Sequence, residues 1–192
     1  ASVFNAALGQ GALASNTTGI TNTAVGQSAL TTNTVGSGNT GIGWSALKAN
    51  TGGSNTAVGA VSLFTNTTGA NNTAIGYYAM YQNTTGANNN AVGYYALQAN
   101  TTGAYNNAIG ANALYNNTTG IENNAFGFYA LNANTTGQNN IAIGNGALQS
   151  NTASQNTAVG HTALKNNSTG TPNEAFGFQA LYNNTTGVNN VA

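Results

Sequence analysis

Apolar and polar positions in this chain recur in a long register. The stretch Asn72-Thr-Ala-Ile-Gly-Tyr-Tyr-Ala-Met-Tyr-Gln-Asn-Thr-Thr-Gly-Ala-Asn88 is followed by a near copy from Asn89 to Tyr105. The glycine of Ala-x-Gly marks the register. It falls at Gly9, Gly26, Gly43, Gly59, Gly76, Gly93, Gly110, Gly127, Gly144, Gly160 and Gly177, seventeen residues apart except at 43→59 and 144→160, where one residue is missing. A fixed period this short is the mark of a solenoid, in which each repeat is one rung that buries itself against its neighbours.

With the marker glycine as zero, position −2 is Ala except Gly41, and position −1 is Leu, Val, Ile or Phe. Position +3 is Ala except Ser62, and +4 is Leu except Met80. The β-branched residues at −1 and the short apolar runs between glycines predict two short strands per rung and no helix across Tyr77–Gln82 or its equivalents. The expected fold is all-β: a parallel β-solenoid (β-roll) of about eleven seventeen-residue rungs, forming one array over 1–192. Strand alternation sets the small and large members of each pair on opposite faces. With the −1 and +4 residues inside, stripes of alanine such as Ala79, Ala96 and Ala113 would lie outside. An apolar stripe of that length wants a partner, so the solenoid is expected to self-associate through it.

Two asparagines recur in each rung. Position −4 is Asn throughout, including Asn22, Asn39, Asn55, Asn72, Asn89, Asn106, Asn123, Asn140, Asn156 and Asn173. Position +7 is also always Asn. An amide both donates and accepts, so stacked copies can form ladders that satisfy backbone at the turns. The +7 set also carries the Asn-x-Ser/Thr acceptor pattern at Asn16, Asn66, Asn83, Asn100, Asn117, Asn134, Asn167 and Asn184. A glycan and a buried ladder cannot share one side chain. The −4 set is therefore the firmer ladder; at +7 a structural role is favoured in a bacterial or phage product, and glycosylation if the fibre is secreted by a host with that machinery.

Charge narrows the function. Only 2% of the 192 residues are charged: Lys48, Lys165, Glu122 and Glu174. Two lysines cannot neutralise a nucleic-acid backbone, and no apolar run approaches the ~20 residues of a membrane span. With no Cys or Asp and only His161, Ser-His-Asp and Cys-His catalysis cannot be assembled conventionally. Glu122 and Glu174 lie three rungs apart, too far for a glycosidase pair. No enzyme activity, metal or cofactor is expected. Tyr77, Tyr78, Tyr94, Tyr95, Phe128 and Tyr129, at +1 and +2, would stack into stripes that pack between chains or bind a carbohydrate or another surface. The chain begins and stops mid-repeat without capping rungs, and Ala1 to Leu13 does not read as a signal peptide. The expectation is a segment of a longer fibre.

The segments Thr73-Ala-Ile-Gly76, Thr23-Ala-Val-Gly26 and Asn140-Ile-Ala-Ile-Gly144 resemble the head repeats of YadA-type trimeric autotransporter adhesins. The longer unit looks like the repeat arrays of phage tail-fibre and related bacterial surface proteins, and the likeness covers essentially the whole chain. That resemblance implies a left-handed parallel β-roll, a homotrimer of parallel chains, and an extracellular place on a cell or virion. The chain departs from the adhesin heads in its longer period and in carrying Thr or Asn where the head motif has an inward Val. The expected function is a structural fibre or filament segment mediating assembly and surface attachment. Stacked Thr at +8 and −3 raises a second possibility, an ice-binding solenoid, and the acceptor asparagines a third, a glycan-coated fibril.

Overall fold

The structure is a computed structural model that describes residues 4–192. The mid-repeat reading of Ala1 lies outside those residues. Twelve strands, from β1 (Ala6–Leu8) to β12 (Asn190–Val191), form one parallel sheet in strict chain order. Between β5 (Thr73–Ile75) and β6 (Asn90–Val92) the register pairs Thr73 with Asn90, Ala74 with Ala91 and Ile75 with Val92. Identical positions therefore stack, and the chain is an all-β solenoid. At the ~4.8 Å spacing of paired strands the rod is on the order of 50 Å long.

Each rung contributes one strand, not two. The strand is only Thr/Asn-Ala-Val/Ile, positions −3 to −1, and it ends at the marker glycine. Gly93 has φ +141°, and a Cβ there would sit 2.6 Å from the Gly110 carbonyl oxygen of the next rung. Only glycine lets successive rungs stack so closely at this corner. Beyond it the backbone leaves the β region. Residues at +2 and +4 take the left-handed conformation, as in Tyr95 (φ 56°) and Leu97 (φ 53°), and the same angles return in nearly every rung. Left-handed backbone costs a non-glycine residue roughly 1–2 kcal/mol. Here it turns N–H groups along the rod axis toward neighbouring rungs. Tyr95 N–H donates to the Tyr77 carbonyl of the preceding rung and Leu97 N–H to the Ala113 carbonyl of the following one, while Ala96 N–H closes a tight turn onto Gly93. The second half of the rung thus satisfies its backbone without forming a ladder of strand residues.

That geometry corrects the assignment of faces. At −2 and −1 the pair does straddle the sheet, but alanine points in. Ala74, Ala91 and Ala108 are fully buried, while Ile75 and Ile109 are exposed by 40% and 43%. At +3 and +4 the pair does not straddle anything. Ala79 and Met80, Ala96 and Leu97, Ala113 and Leu114 are all buried together, because the left-handed turn at +4 removes the alternation of a strand. The alanines are core, with no role as an outer stripe. Their small size lets the strand side of the rung close onto the large +4 residues, which form a continuous column from Leu30 to Leu164.

Candidate functional site: the ladders, the outer face and the aromatic columns

The interior is half apolar and half amide. Both asparagine columns run through it, and they differ in chemistry. At −4 the Oδ1 of each side chain accepts the backbone N–H of the next −4 residue, as from Asn106 to Asn89 at 2.9 Å, while its Nδ2 donates to the glycine carbonyl fourteen residues on, as from Asn89 to Gly103 at 2.8 Å. This column ties the start of a rung to its end and to its neighbour. At +7 the amides pair directly: Asn83 donates to Asn66 and Asn100 to Asn83, each at 2.7 Å, and Asn117 to Asn100 at 2.9 Å. In most rungs the +7 Nδ2 also shares the glycine carbonyl held by the −4 amide, as Asn100 does with Gly103 at 2.9 Å. The ladder is interrupted once. In the shortened rung, Asn151 turns to Asn140 at 3.4 Å, and Asn134 Oδ1 is left as a buried polar atom without a partner among the described residues.

This bears on the acceptor asparagines. Asn66, Asn83, Asn100, Asn117, Asn134 and Asn167 are fully buried. Their Nδ2 groups, and those of the half-buried Asn16 and Asn184, are bonded to glycine carbonyls. A sugar on Nδ2 would have to enter the stack and displace those bonds. In the folded rod these residues are ladder members, and the glycan-acceptor expectation gives way to that role.

Three columns stand on the outside of the rod, −3 and −1 on the outward face of the sheet and +1 just past its corner glycine. Position −1 offers exposed Leu8, Ile42, Ile75, Ile109, Phe126, Ile143 and Phe176. Position +1 adds Trp44, Tyr77, Tyr94, Phe128 and Phe178, all exposed. Position −3 is polar except at Ala6, Ile141 and Val191. Where its threonines give way, Asn90, Asn107 and Asn124 continue as a surface amide ladder with 2.8 Å steps. At +8 most of the hydroxyls do not stand free: Thr67 and Thr84 each donate to the +8 carbonyl one rung on, both at 2.9 Å.

The aromatic residues fall into two groups. Tyr77 stacks on Tyr94 with centroids 5.8 Å apart, Tyr78 on Tyr95 at 5.1 Å, and edge contacts join the two columns. Desolvation in this cluster, reinforced by the neighbouring phenols, raises the Tyr77 and Tyr95 pKa values above the ordinary 10.0. Phe128 and Tyr129 form a second group, edge to face at 4.3 Å. Ala111 and Asn112 hold the equivalent positions in the rung between. That interruption leaves a shallow cavity of about 460 Å³ bordered by both groups. Tyr115, Asn116 and Asn132 also line it; sequence reasoning missed these asparagines because neither position is constant among the rungs. His161 stacks on Phe178 at 5.5 Å and lies 3.2 Å from Thr162 Oγ1. Among the described residues no three His, Cys, Asp or Glu side chains come together as a metal site would require.

Comparison with protein-family models, with curated proteins and with solved structures gave no match.

Proposed function

We propose that this chain is a structural segment of an extracellular fibre, of the adhesin-head or tail-fibre kind, whose work is to assemble in parallel with further copies and to present a surface for attachment. One observation carries the reading: the −1 column on the sheet and the adjoining +1 column expose aliphatic and aromatic side chains along the outside of the rod, as at Ile75, Tyr77, Ile109, Phe126 and Phe178. The sheet face, about 50 Å long and three residues wide, covers on the order of 500 Å², and the +1 column extends it toward the roughly 800 Å² each partner contributes to a stable interface. Net charge is zero, so nothing repels a second copy. The resemblance to adhesin heads selects three chains over two.

Imaging of the assembled protein tests this. Three-fold symmetry with the −1 columns facing the common axis is the expected result. A filament one solenoid wide would contradict it. The ice-binding reading is weaker, because the +8 hydroxyls spend their protons on backbone carbonyls and the −3 column changes from Thr to Asn. Thermal hysteresis in a solution of the purified chain would reinstate it. No catalytic step is proposed, since His161 has an aromatic ring and a threonine beside it rather than an acid.

A further inference from the structure

The break in the aromatic columns is itself a constructed feature. Along +2 the chain has Tyr78, Tyr95, Asn112 and Tyr129 in successive rungs, all at the same left-handed backbone angle, φ 56–58°. A tyrosine is therefore compatible with the backbone at Asn112, and its absence opens a notch one rung high. Tyr95 and Tyr115 meet at 5.9 Å with planes inclined by 52°; together with Tyr94, Tyr129 and three asparagines they line the shallow, open 460 Å³ space. That volume falls within the roughly 300–1,000 Å³ of small-ligand sites.

The lining is uncharged and rich in unused hydrogen-bonding capacity. Asn116 and Asn132 are held in place by their Nδ2 groups, which donate to the backbone carbonyls of Asn132 and Asn112 at 3.0 Å each. Their Oδ1 atoms, and the whole side-chain amide of Asn112, have no hydrogen-bond partner among the described residues. Tyrosine rings offer apolar faces with a hydroxyl at the rim, and amides offer fixed donors and acceptors. Apolar faces beside pre-oriented amides suit a ligand with C–H bonds on one side and hydroxyls around its edge. No lysine or other cation lines the notch, so an anionic ligand would lose its hydration without compensation.

We infer that the notch at Asn112 is a binding site for a neutral saccharide, one pyranose ring resting against the tyrosines and its hydroxyls bonded to Asn112, Asn116 and Asn132. The inference deepens the attachment half of the proposed function and does not depend on the number of chains. It also locates the carbohydrate contact at the interruption, where the Tyr77–Tyr94 stack ends and Tyr94 and Tyr95 form one wall.

The test is saturation-transfer NMR and titration of the whole chain with glucose-, mannose- and N-acetylglucosamine-based tetrasaccharides, with a sialylated trisaccharide as the anionic probe. Asn112→Tyr fills the notch with the residue its neighbours carry at the same angle, so the rung should fold. Gln179→Tyr makes the same change at +2 in a rung far from the notch. At least one neutral probe should bind, with affinity reduced on the order of tenfold or more by Asn112→Tyr and unchanged by Gln179→Tyr. The inference is overturned if no neutral probe binds, if binding survives Asn112→Tyr, if both variants weaken it alike, or if the anionic probe binds more tightly. Sedimentation of the same samples reports assembly separately, so loss of sugar binding and loss of the fibre reading are distinguishable.

Discussion

At the scale of single residues, the amide columns divide their labour unevenly. Asn100 Nδ2 donates to Asn83 and Gly103, and its Oδ1 accepts from Asn117. Replacing it with Ala leaves buried partners unsatisfied on both sides and should cost about 2–4 kcal/mol. Asn134 makes the two donations but receives nothing. Asn134→Ala should therefore cost less than Asn100→Ala, by about 1 kcal/mol. Denaturant unfolding of the two variants side by side checks the order, and equal losses would mean the acceptor bond contributes nothing. Gly93→Ala faces both a left-handed φ and a backbone contact of 2.6 Å. A loss of roughly 3 kcal/mol or more is expected there, visible as a lowered unfolding midpoint.

Elements of this fold were partly legible in advance. The period named the rung and the constant asparagines named the ladders, because a contact repeated in each rung needs the same side chain each time. The second half of the rung was not legible. Ala-Leu pairs such as Ala96-Leu97 read as strand residues, and nothing in their composition announces that Leu97 has φ 53°. The inward partner at −2 was likewise hidden. Alanine and isoleucine both suit a sheet core, and the choice falls to Ala74 and Ala91 because the +4 column already fills the narrow interior. The notch was present in the sequence as Ala111-Asn112 between two aromatic pairs, a signal carried by an exception to the repeat.

The aromatic columns give the element scale its own test. Tyr77 and Tyr95 hold their protons more tightly in the folded chain than the ordinary phenol value of 10.0. Their contribution is thus fully present below that pH. It is lost as pH rises beyond it, since the unfolded chain releases those protons first. Alkaline titration followed by phenolate absorbance should show a late phase, and Tyr77→Phe with Tyr95→Phe should remove it. Simultaneous titration of all nine tyrosines would contradict the packing described for the cluster.

For the whole molecule, the property to test is whether further copies cover the outward face of the sheet, as proposed. The exposed −1 residues sit on short strands whose inner positions are already filled, so charge can be introduced at −1 without opening the core. Ile75→Lys, Ile109→Lys and Ile143→Lys together should leave the far-ultraviolet spectrum of the solenoid intact while separating the copies. Enlarging Ala79, Ala96 and Ala113 would instead strike buried positions and unfold the rungs. The measurement that addresses the account most directly is sedimentation equilibrium of the wild-type chain over a wide concentration range beside this triple lysine variant. The proposed trimer requires a wild-type mass near three times the 19.1 kDa of one chain and a variant at the single-chain mass. A wild-type chain that stays monomeric at the highest concentration, or a variant that assembles as the wild type does, would contradict it.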